Sequence, residues 1–485
     1  MNRHKNIKMK LSVLLLLFPL IITTSCKKEL LNTEPKTSIS EDNAFDTPAR
    51  ILGQINGLYD GVKAGDFFGS RYLIYNDIRG EEFINRLNNG VTGLQTWSYN
   101  ITSSTNEVEN LWIAGYAAIN RINVFLKGLD DNASKIDASM LLAYKAEAKF
   151  LRGLSYFSLL TIYARPYTLN NGASPGLPLR LKAEKNIENN DLARSSVKEV
   201  YQQVLADLNE AENNLPGTYS SSDLNVTRAH KNSAIALKTR VYLSMGQYND
   251  VIAEAQKIVS NAAPYQATNG VLHKLETNAI TPFVNYTTTE SIFSFPMTAG
   301  DPPGTQNQLA YYYNKPGVGN GEYFLNTKGI LADTSWKPTD ARKINFIVLD
   351  GGNSYLKKFN APAPFTDYVP VLRYAEILLN YAEAAAKTGD LTKSADLLKA
   401  VRNRSDASYV FSPATVATQD ELVKAILIEK RIEFLGEGFR SIDLLRLGMT
   451  IPAKGSVNAV QPSQSEYIWP IPNSEMLTNK LMVQN

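Results

Sequence analysis

Residues 428–448 read IEKRIEFLGEGFRSIDLLRLG, and how this stretch is read decides the fold. Ile428, Ile432, Leu435, Phe439, Ile442 and Leu445 recur at spacings of three and four, the stripe of a core-facing helix. Glu429, Glu433 and Glu437 fall four apart and share a second face. Arg431, Arg440, Asp443 and Arg446 add further charge, and Gly436 and Gly438 break the run. The spacing predicts two helices, or one kinked helix.

So dense a charge cluster belongs either to an active site or to a structural clamp. Glycoside hydrolysis wants two carboxyls about 5–10 Å apart on opposite sides of a bond. Glu429 with Glu433, or Glu433 with Glu437, meets that separation but projects from one side of a helix. Neighbouring arginines would also hold these carboxyls ionised rather than raise them for acid duty. A metal site would want His or open-loop ligands, which the stretch lacks. The expectation is a structural ion-pair network in which Glu429, Arg431, Glu433, Arg440 and Asp443 pair among themselves, with the stripe in the core.

Upstream, helical periodicity recurs. A helix is predicted from near Pro48, with Ile51, Ile55, Leu58 and Tyr59 on one face. Long helices are predicted over 107–129 and 137–164, the second stopping before Arg165-Pro166. Ser196 and Glu199 form a capping box that opens a helix closed by Pro216-Gly217. Residues 228–245, a turn at Gly246 and 249–260 make a helix pair. The layout returns at 373–387, Gly389-Asp390 and 391–404. Such pairs fit tetratricopeptide units or generic helical hairpins, and a repeat unit needs a neighbour to cover its apolar face.

Two regions break the pattern. Residues 61–105 read as irregular and rich in Gly, Asn and aromatics. Residues 266–372 hold 9 of the 22 prolines and 9 of the 29 glycines, which excludes a continuous helical array. Within them KINFIVLDGGNSYLKKF predicts a hairpin turning at Asp350-Gly351-Gly352-Asn353. The glycines of PGVGNG (316–321) lack the preceding strand, the Lys-Ser/Thr and the following helix of a phosphate loop.

The first residues are a targeting signal. Arg3, Lys5, Lys8 and Lys10 precede an apolar run from Leu11 to Ile22, too short to span a bilayer. Thr23-Thr24-Ser25 then lead to Cys26, the one cysteine. A signal ending just before a cysteine resembles a bacterial lipoprotein signal, although Thr23 stands where a bulky aliphatic residue is usual. Without the four basic residues of 1–25, the 50 lysines and arginines fall to 46 against 47 acidic residues. That balance gives no basic surface for nucleic acid. Three histidines, one of them His4 in the signal, argue against a zinc site.

Taken in order, these segments resemble the SusD/RagB nutrient-uptake lipoproteins over essentially the whole chain. The resemblance runs from Cys26-Lys27-Lys28 and LLNTEP through FLRGLSYFSLLTIYARPYTL (150–169) and LKTRVYLSMGQYNDVIAEAQKIV (237–259). It continues through Asp340-Ala341-Arg342 and YLKKFN (355–360). RYAEILLNYAEAAAKTGD (373–390), EKRIEFLGEGFRSIDLLRLG (429–448) and YIWPIPNSEMLTNKLMVQN (467–485) complete it. Asn479-Lys480 departs from the family's usual Asn-Pro.

The resemblance implies a mainly α fold, a tetratricopeptide-like helix-pair scaffold with a loop-rich insertion carrying short β-hairpins. It divides the chain into a lipoprotein signal (1–25), a lipidated tether (26–48) and a helical N-terminal part (49–265) with binding loops at 61–105. The ligand-binding insertion (266–372), C-terminal helices (373–450) and an extended tail (451–485) follow. It implies a non-enzymatic protein on the outer face of the outer membrane, anchored by lipid on Cys26. Its partners would be a TonB-dependent SusC-like transporter and a glycan ligand, with a peptide as in RagB-like members or a surface hydrolase as alternatives. No cofactor and no metal are expected.

Sugar recognition needs aromatic rings against the C–H face of a pyranose and polar side chains for its hydroxyls. From 61–105 the candidates are Asp77, Arg86, Trp97, Tyr99 and Asn100; from the insertion, Tyr312, Tyr323 and Trp336. A packing role is the alternative for each aromatic. Trp112, inside a helix, and Trp469, in the tail, are assigned to packing.

Overall fold

The computed structural model describes residues 44–485 except 187 and 189. The signal, Cys26 and most of the tether lie outside the described residues. The chain divides into two units, Met1–Ile51 and Leu52–Asn485. Of the first, only residues 44–51 are described, and they carry the start of α1 (Pro48–Val62). The second unit holds every other element.

Helices carry the fold. α2 (Arg71–Arg79) precedes the long pair α3 (Asn106–Asp131) and α4 (Ala138–Tyr163). α4 packs on α5 (Val197–Asn214), and α5 on α6 (Lys231–Met245). α6 turns at Gly246 into α7 (Tyr248–Ala255), which packs on α8 (Tyr374–Lys387). α8 pairs with α9 (Leu391–Ser405), and both meet α10 (Gln419–Glu433). α11 (Arg440–Arg446) returns to α2. The two predicted helix pairs are therefore α6–α7 and α8–α9, tetratricopeptide-like units stacked through α7 and α8.

Local chemistry sets the helix ends. Asp137 caps α4, accepting from the backbone N–H of Ser139 at 2.9 Å and of Met140 at 3.1 Å. The capping box at Ser196 and Glu199 is formed in full. Gly246 sits at φ +71°, a turn that L side chains resist. From Ala146 on, α4 is buried on nearly every face. Its polar groups are therefore paired: Arg152 donates to Asp207 of α5 from Nε at 2.8 Å and Nη2 at 2.7 Å, and to Asn123 of α3 from Nη1 at 2.8 Å.

Among the described residues six short strands form three antiparallel pairs. β2 (Ser291–Phe295) and β6 (Val369–Arg373) are buried along their length. β4 (Ile347–Asp350) and β5 (Asn353–Leu356) make the predicted hairpin, with Asp350 opposite Asn353. Gly351 and Gly352 take the positive φ of a two-residue turn. β1 (Phe83–Asn85) pairs with β3 (Tyr323–Leu325), so the two loop-rich regions meet.

Two expectations change. Residues 61–105 are more ordered than the sequence suggested, because α2 is buried at all nine positions. Its sequence, RYLIYNDIR, has no single apolar stripe because polar members are buried too: Arg79 Nη2 donates to the Tyr467 carbonyl at 2.7 Å. The tail is not extended throughout, since Asn473–Thr478 is helical. Of the two readings of 428–448, the structure takes the first, two helices. Gly438 is at φ +79° with Leu73 Cα only 2.7 Å from where a Cβ would stand, so the corner accommodates only glycine. Trp112 and Trp469 are buried as assigned; Trp469 packs 5.2 Å from Tyr75 and 5.7 Å from Tyr163. Among the described residues no helix is long and apolar enough to cross a membrane.

Candidate functional site

The densest charge is at 428–448, and it is sealed. Ile432, Leu435, Ile442 and Leu445 are buried, with Ile428 and Phe439 half-buried. Arg342 Nη1 lies 2.6 Å from Glu429 and 2.7 Å from Glu433, and its Nη2 is 2.7 Å from Asp340. Arg373 reaches Glu290 at 2.6 Å, Glu433 at 2.9 Å and Glu437 at 2.8 Å. Arg404 bridges Glu290 and Glu433, Lys358 meets Glu437, and Arg402 meets Glu429. Five cations thus face five carboxylates, a neutral set that can be taken out of water.

The expected self-pairing is corrected. Among the five residues assigned to the network, no ion pair joins two of them among the described residues. Glu429 and Glu433 find their arginines on α9, β6 and the short helix Ala341–Phe346. Arg431 and Arg440 reach Glu81 and Glu82, 3.1 and 2.6 Å for the first and 2.6 Å to Glu81 for the second. Asp443 pairs with Arg446 at 2.6 Å. The reason is geometric. On α10 the like-charged Glu429 and Glu433 share a face, so opposite charge has to come from other elements. Burial pushes the Glu433 carboxyl up, but Arg404, Arg373, Arg342 and Lys358 outweigh it and hold it well below its ordinary value. A carboxylate so held, and buried, is neither reachable by a glycosidic bond nor fit to donate a proton.

The eight candidate ligand residues are scattered between interior and surface. Trp97, Tyr312, Tyr323 and Trp336 are buried, so the expectation that they offer a ring face to a sugar is corrected. Trp97 donates from Nε1 to the Phe83 carbonyl at 2.8 Å. Tyr312 and Tyr323 stack on each other at 6.0 Å, and the Tyr323 hydroxyl donates to the Thr92 carbonyl at 2.9 Å. Trp336 lies apart, under Lys343 Nζ at 5.2 Å. Asp77 is buried too; burial raises its carboxyl well above the usual range, and the Tyr313 hydroxyl donates to it at 3.0 Å. These side chains bind β1, β3 and α2 into one core. Tyr99 is half-buried, its hydroxyl donating to the Arg79 carbonyl. Asn100 is exposed and Arg86 half-buried.

Around Arg86 the loops close a ring of hydrogen bonds. Arg86 Nε and Nη2 donate to the carbonyls of Gly321 and Asn320, each at 2.6 Å. Asn320 Nδ2 donates to the Tyr311 hydroxyl at 3.1 Å, and Gln306 Nε2 to the same hydroxyl at 3.3 Å. Next to Gln306, the Asn307 Oδ1 accepts from Arg71 Nε at 2.7 Å. Arg71 Nη1 then donates to the Val91 carbonyl at 3.0 Å, returning to the loop that follows Arg86. The Tyr311 ring is half-buried and meets Phe365 edge-on at 6.0 Å. Asn88, Gln306 and Phe365 hold left-handed φ values of 53°, 58° and 63°, and non-glycine residues so held gather at functional loops. Partly exposed rings beside amide groups are what a sugar contact asks for.

Sequence reasoning chose Tyr312 where the structure exposes Tyr311. Both lie in the five-residue helix Leu309–Tyr313, too short for periodicity to tell inward from outward. Gln306, Asn307, Asn320 and Phe365 carried no signal beyond their place in a loop-rich insertion. A second opening, a groove of about 730 Å³ between the 263–277 loop and α9, offers one half-buried ring, Tyr265, with Gln266, Lys274 and Glu276.

Comparison with known proteins covers the chain in two adjoining parts. Residues 29–243 match the family described as starch-binding and associating with the outer membrane, and residues 239–485 match the SusD family. SusD-like protein P38 of Formosa agariphila is 24% identical, the alignment covering 100% of this chain and 99% of that one. A SusD superfamily protein from Bacteroides fragilis superposes with a TM-score of 0.81 at 34% identity, over 90% of this chain and 99% of that one. A solved protein described as a laminarin-binding SusD-like protein superposes with a TM-score of 0.70 at 21% identity, over 91% and 99%.

Proposed function

The chain belongs to the SusD family, and from that premise we propose that it is a lipid-anchored protein of the outer-membrane surface that binds glycans and passes them to a TonB-dependent SusC-like transporter. The observation that carries the reading is the hydrogen-bonded ring from Arg86 through Asn320, Tyr311 and Gln306, with the half-buried rings of Tyr311 and Phe365 beside it. It is built from both loop regions where ligand contacts are expected. The binding named for the laminarin-binding relative favours a carbohydrate over a peptide. The signal ending before Cys26 supports the anchor, and Cys26→Ser is expected to move the protein from the membrane to the soluble fraction.

Of the eight candidates, Arg86 and Asn100 are proposed as contributors at the surface, Tyr99 as a half-buried support. Affinity electrophoresis or calorimetry against a polysaccharide panel tests the reading. At least one glycan should bind, and Tyr311→Ala should weaken it roughly tenfold, the ~1–1.5 kcal/mol of a lost aromatic contact. Binding of peptides and of no glycan would replace this reading with the RagB-like one. Loss of binding in Tyr265→Ala, with Tyr311→Ala unaffected, would move the site to the groove beside α9.

A further inference from the structure

Arg71 lies in the wall of this ring and, among the described residues, has no carboxylate in ion-pair contact. It is 4% exposed. Its Nε and Nη1 are taken by Asn307 and the Val91 carbonyl, and its guanidinium stands over the rings of Tyr75 at 5.8 Å and Tyr312 at 5.3 Å. Among the described residues Nη2 makes no hydrogen bond, yet it is not among the atoms enclosed without a partner. Among the described residues no carboxylate comes within ion-pair distance of Arg71. Arg342, Arg373, Arg402 and Arg404, buried to a similar degree, each meet at least one. Burial disfavours the charge on Arg71. Tyr75, Tyr312, Asp66 and Glu107 outweigh that and keep it charged.

Across the ring Arg86 is in the same position. Its two bonded nitrogens donate to backbone carbonyls, and among the described residues it too has no carboxylate partner. The ring's one carboxylate among the described residues, Glu322, is fully buried and already accepts from the Thr92 hydroxyl at 2.9 Å and from Asn320. Two guanidiniums therefore stand in the ring with no carboxylate in direct contact among the described residues, and with a free N–H at Arg71 Nη2. An incompletely paired buried cation is unfavourable, and an arriving anion would relieve it. Guanidinium is also the side chain best matched to a carboxylate or sulfate group.

We propose that the ring takes an acidic glycan, its carboxylate or sulfate group received at Arg71 Nη2 and drawn in by Arg86. The inference rests on the glycan-binding reading above and narrows its ligand. A neutral polymer would leave the surplus charge unmet; a polyanion would bind with an affinity that falls as salt screens the attraction.

Calorimetry of the protein at low and high salt, with four polymers, tests this. Polygalacturonate offers carboxylates, carrageenan offers sulfates, and fully methyl-esterified polygalacturonate and laminarin are neutral. The expected result is binding of one or both acidic polymers at least tenfold tighter than either neutral one, weakened by salt and by Arg71→Gln. Arg86→Gln is the second variant, in case Arg71→Gln lowers the melting temperature enough to unfold the loops. It too should weaken the acidic polymer several-fold. Which acidic polymer binds tells carboxylate from sulfate. Neutral polymers binding as tightly as the acidic ones, in a manner that depends on Tyr311, would sink the acidic preference and leave the glycan reading standing. Acidic binding indifferent to both arginine variants would also sink it. Failure of both acidic polymers to bind would sink the acidic preference; the glycan reading itself falls only if no glycan of the wider panel binds.

Discussion

Arg440 grips Glu81 with two nitrogens, Nε at 2.9 Å and Nη2 at 2.6 Å from the carboxylate oxygens, across 359 positions of sequence. Arg431 lies 3.1 Å from the same carboxylate and 2.6 Å from Glu82. The C-terminal helices are thereby tied to the segment between α2 and β1. Arg440→Ala should destabilise the protein by about 2–4 kcal/mol, because Glu81 then keeps only Arg431 in a mostly buried site. Thermal unfolding would register the loss as a lower melting temperature, with ligand preference unchanged. A changed preference at an unchanged melting temperature would return the cluster to function.

Glu433→Gln should be worse. The carboxylate meets Arg342, Arg373 and Arg404 at 2.7, 2.9 and 2.7 Å. A neutral amide of the same shape leaves three guanidiniums short of charge, a loss on the order of 3–5 kcal/mol. Chemical denaturation of both variants gives the ranking. Glycans incubated with the protein should yield no new reducing ends. New ends that vanish in Glu433→Gln would instead make the cluster catalytic.

Tyr311 and Trp336 separate binding from packing. Trp336 is buried beside Lys343, and truncating such a ring to alanine removes roughly 3–5 kcal/mol of stability. Where Trp336→Ala still folds, its glycan affinity should match the parent. Tyr311→Ala should show the converse, near-parental melting with weakened binding. Equal affinity losses in the two variants would contradict the site as drawn.

Acid should weaken the fold through two histidines. His230 and His273 stack at 5.2 Å, both fully buried. Burial, helped at His230 by the neighbouring ring, lowers His230 to about 3 and His273 to about 4. The native state therefore refuses protons that the unfolded chain takes up near pH 6.5. The stability contributed by neutral imidazoles is present above pH 6.5. It is lost as pH falls toward 4 and 3, at up to about 1.4 kcal/mol per pH unit for each. Asp77 and Glu147, raised by burial, act in the opposite sense, so the comparison must be with a variant. Between pH 7 and 5 the denaturation midpoint should fall less steeply in His273→Gln than in the parent. Identical slopes would show that the ring is not held neutral.

How much was legible depends on the kind of regularity each element has. The helix pairs at 228–260 and 373–404, the capping box at Ser196 and the hairpin at Gly351-Gly352 could be read directly. Each is set by neighbours within a few residues. α2 was missed because it is buried all round and its polar residues interrupt any stripe. The charge cluster was expected to pair within itself, but its partners lie on other elements. Glu433 meets Arg373 and Arg342, 60 and 91 positions away, and no local spacing encodes that.

The sequence by itself determined the helical repeat scaffold and the family, because periodicity, capping and motif order are local properties of the chain. Only the tertiary structure decided which ring of Tyr311-Tyr312-Tyr313 reaches the surface and which carboxylate each arginine meets. Only it left Arg71 charged in a wall with no counter-ion among the described residues. Exposure and charge pairing are set where distant segments come together, here where β1 meets β3 and α11 returns to α2. A one-dimensional pattern carries neither.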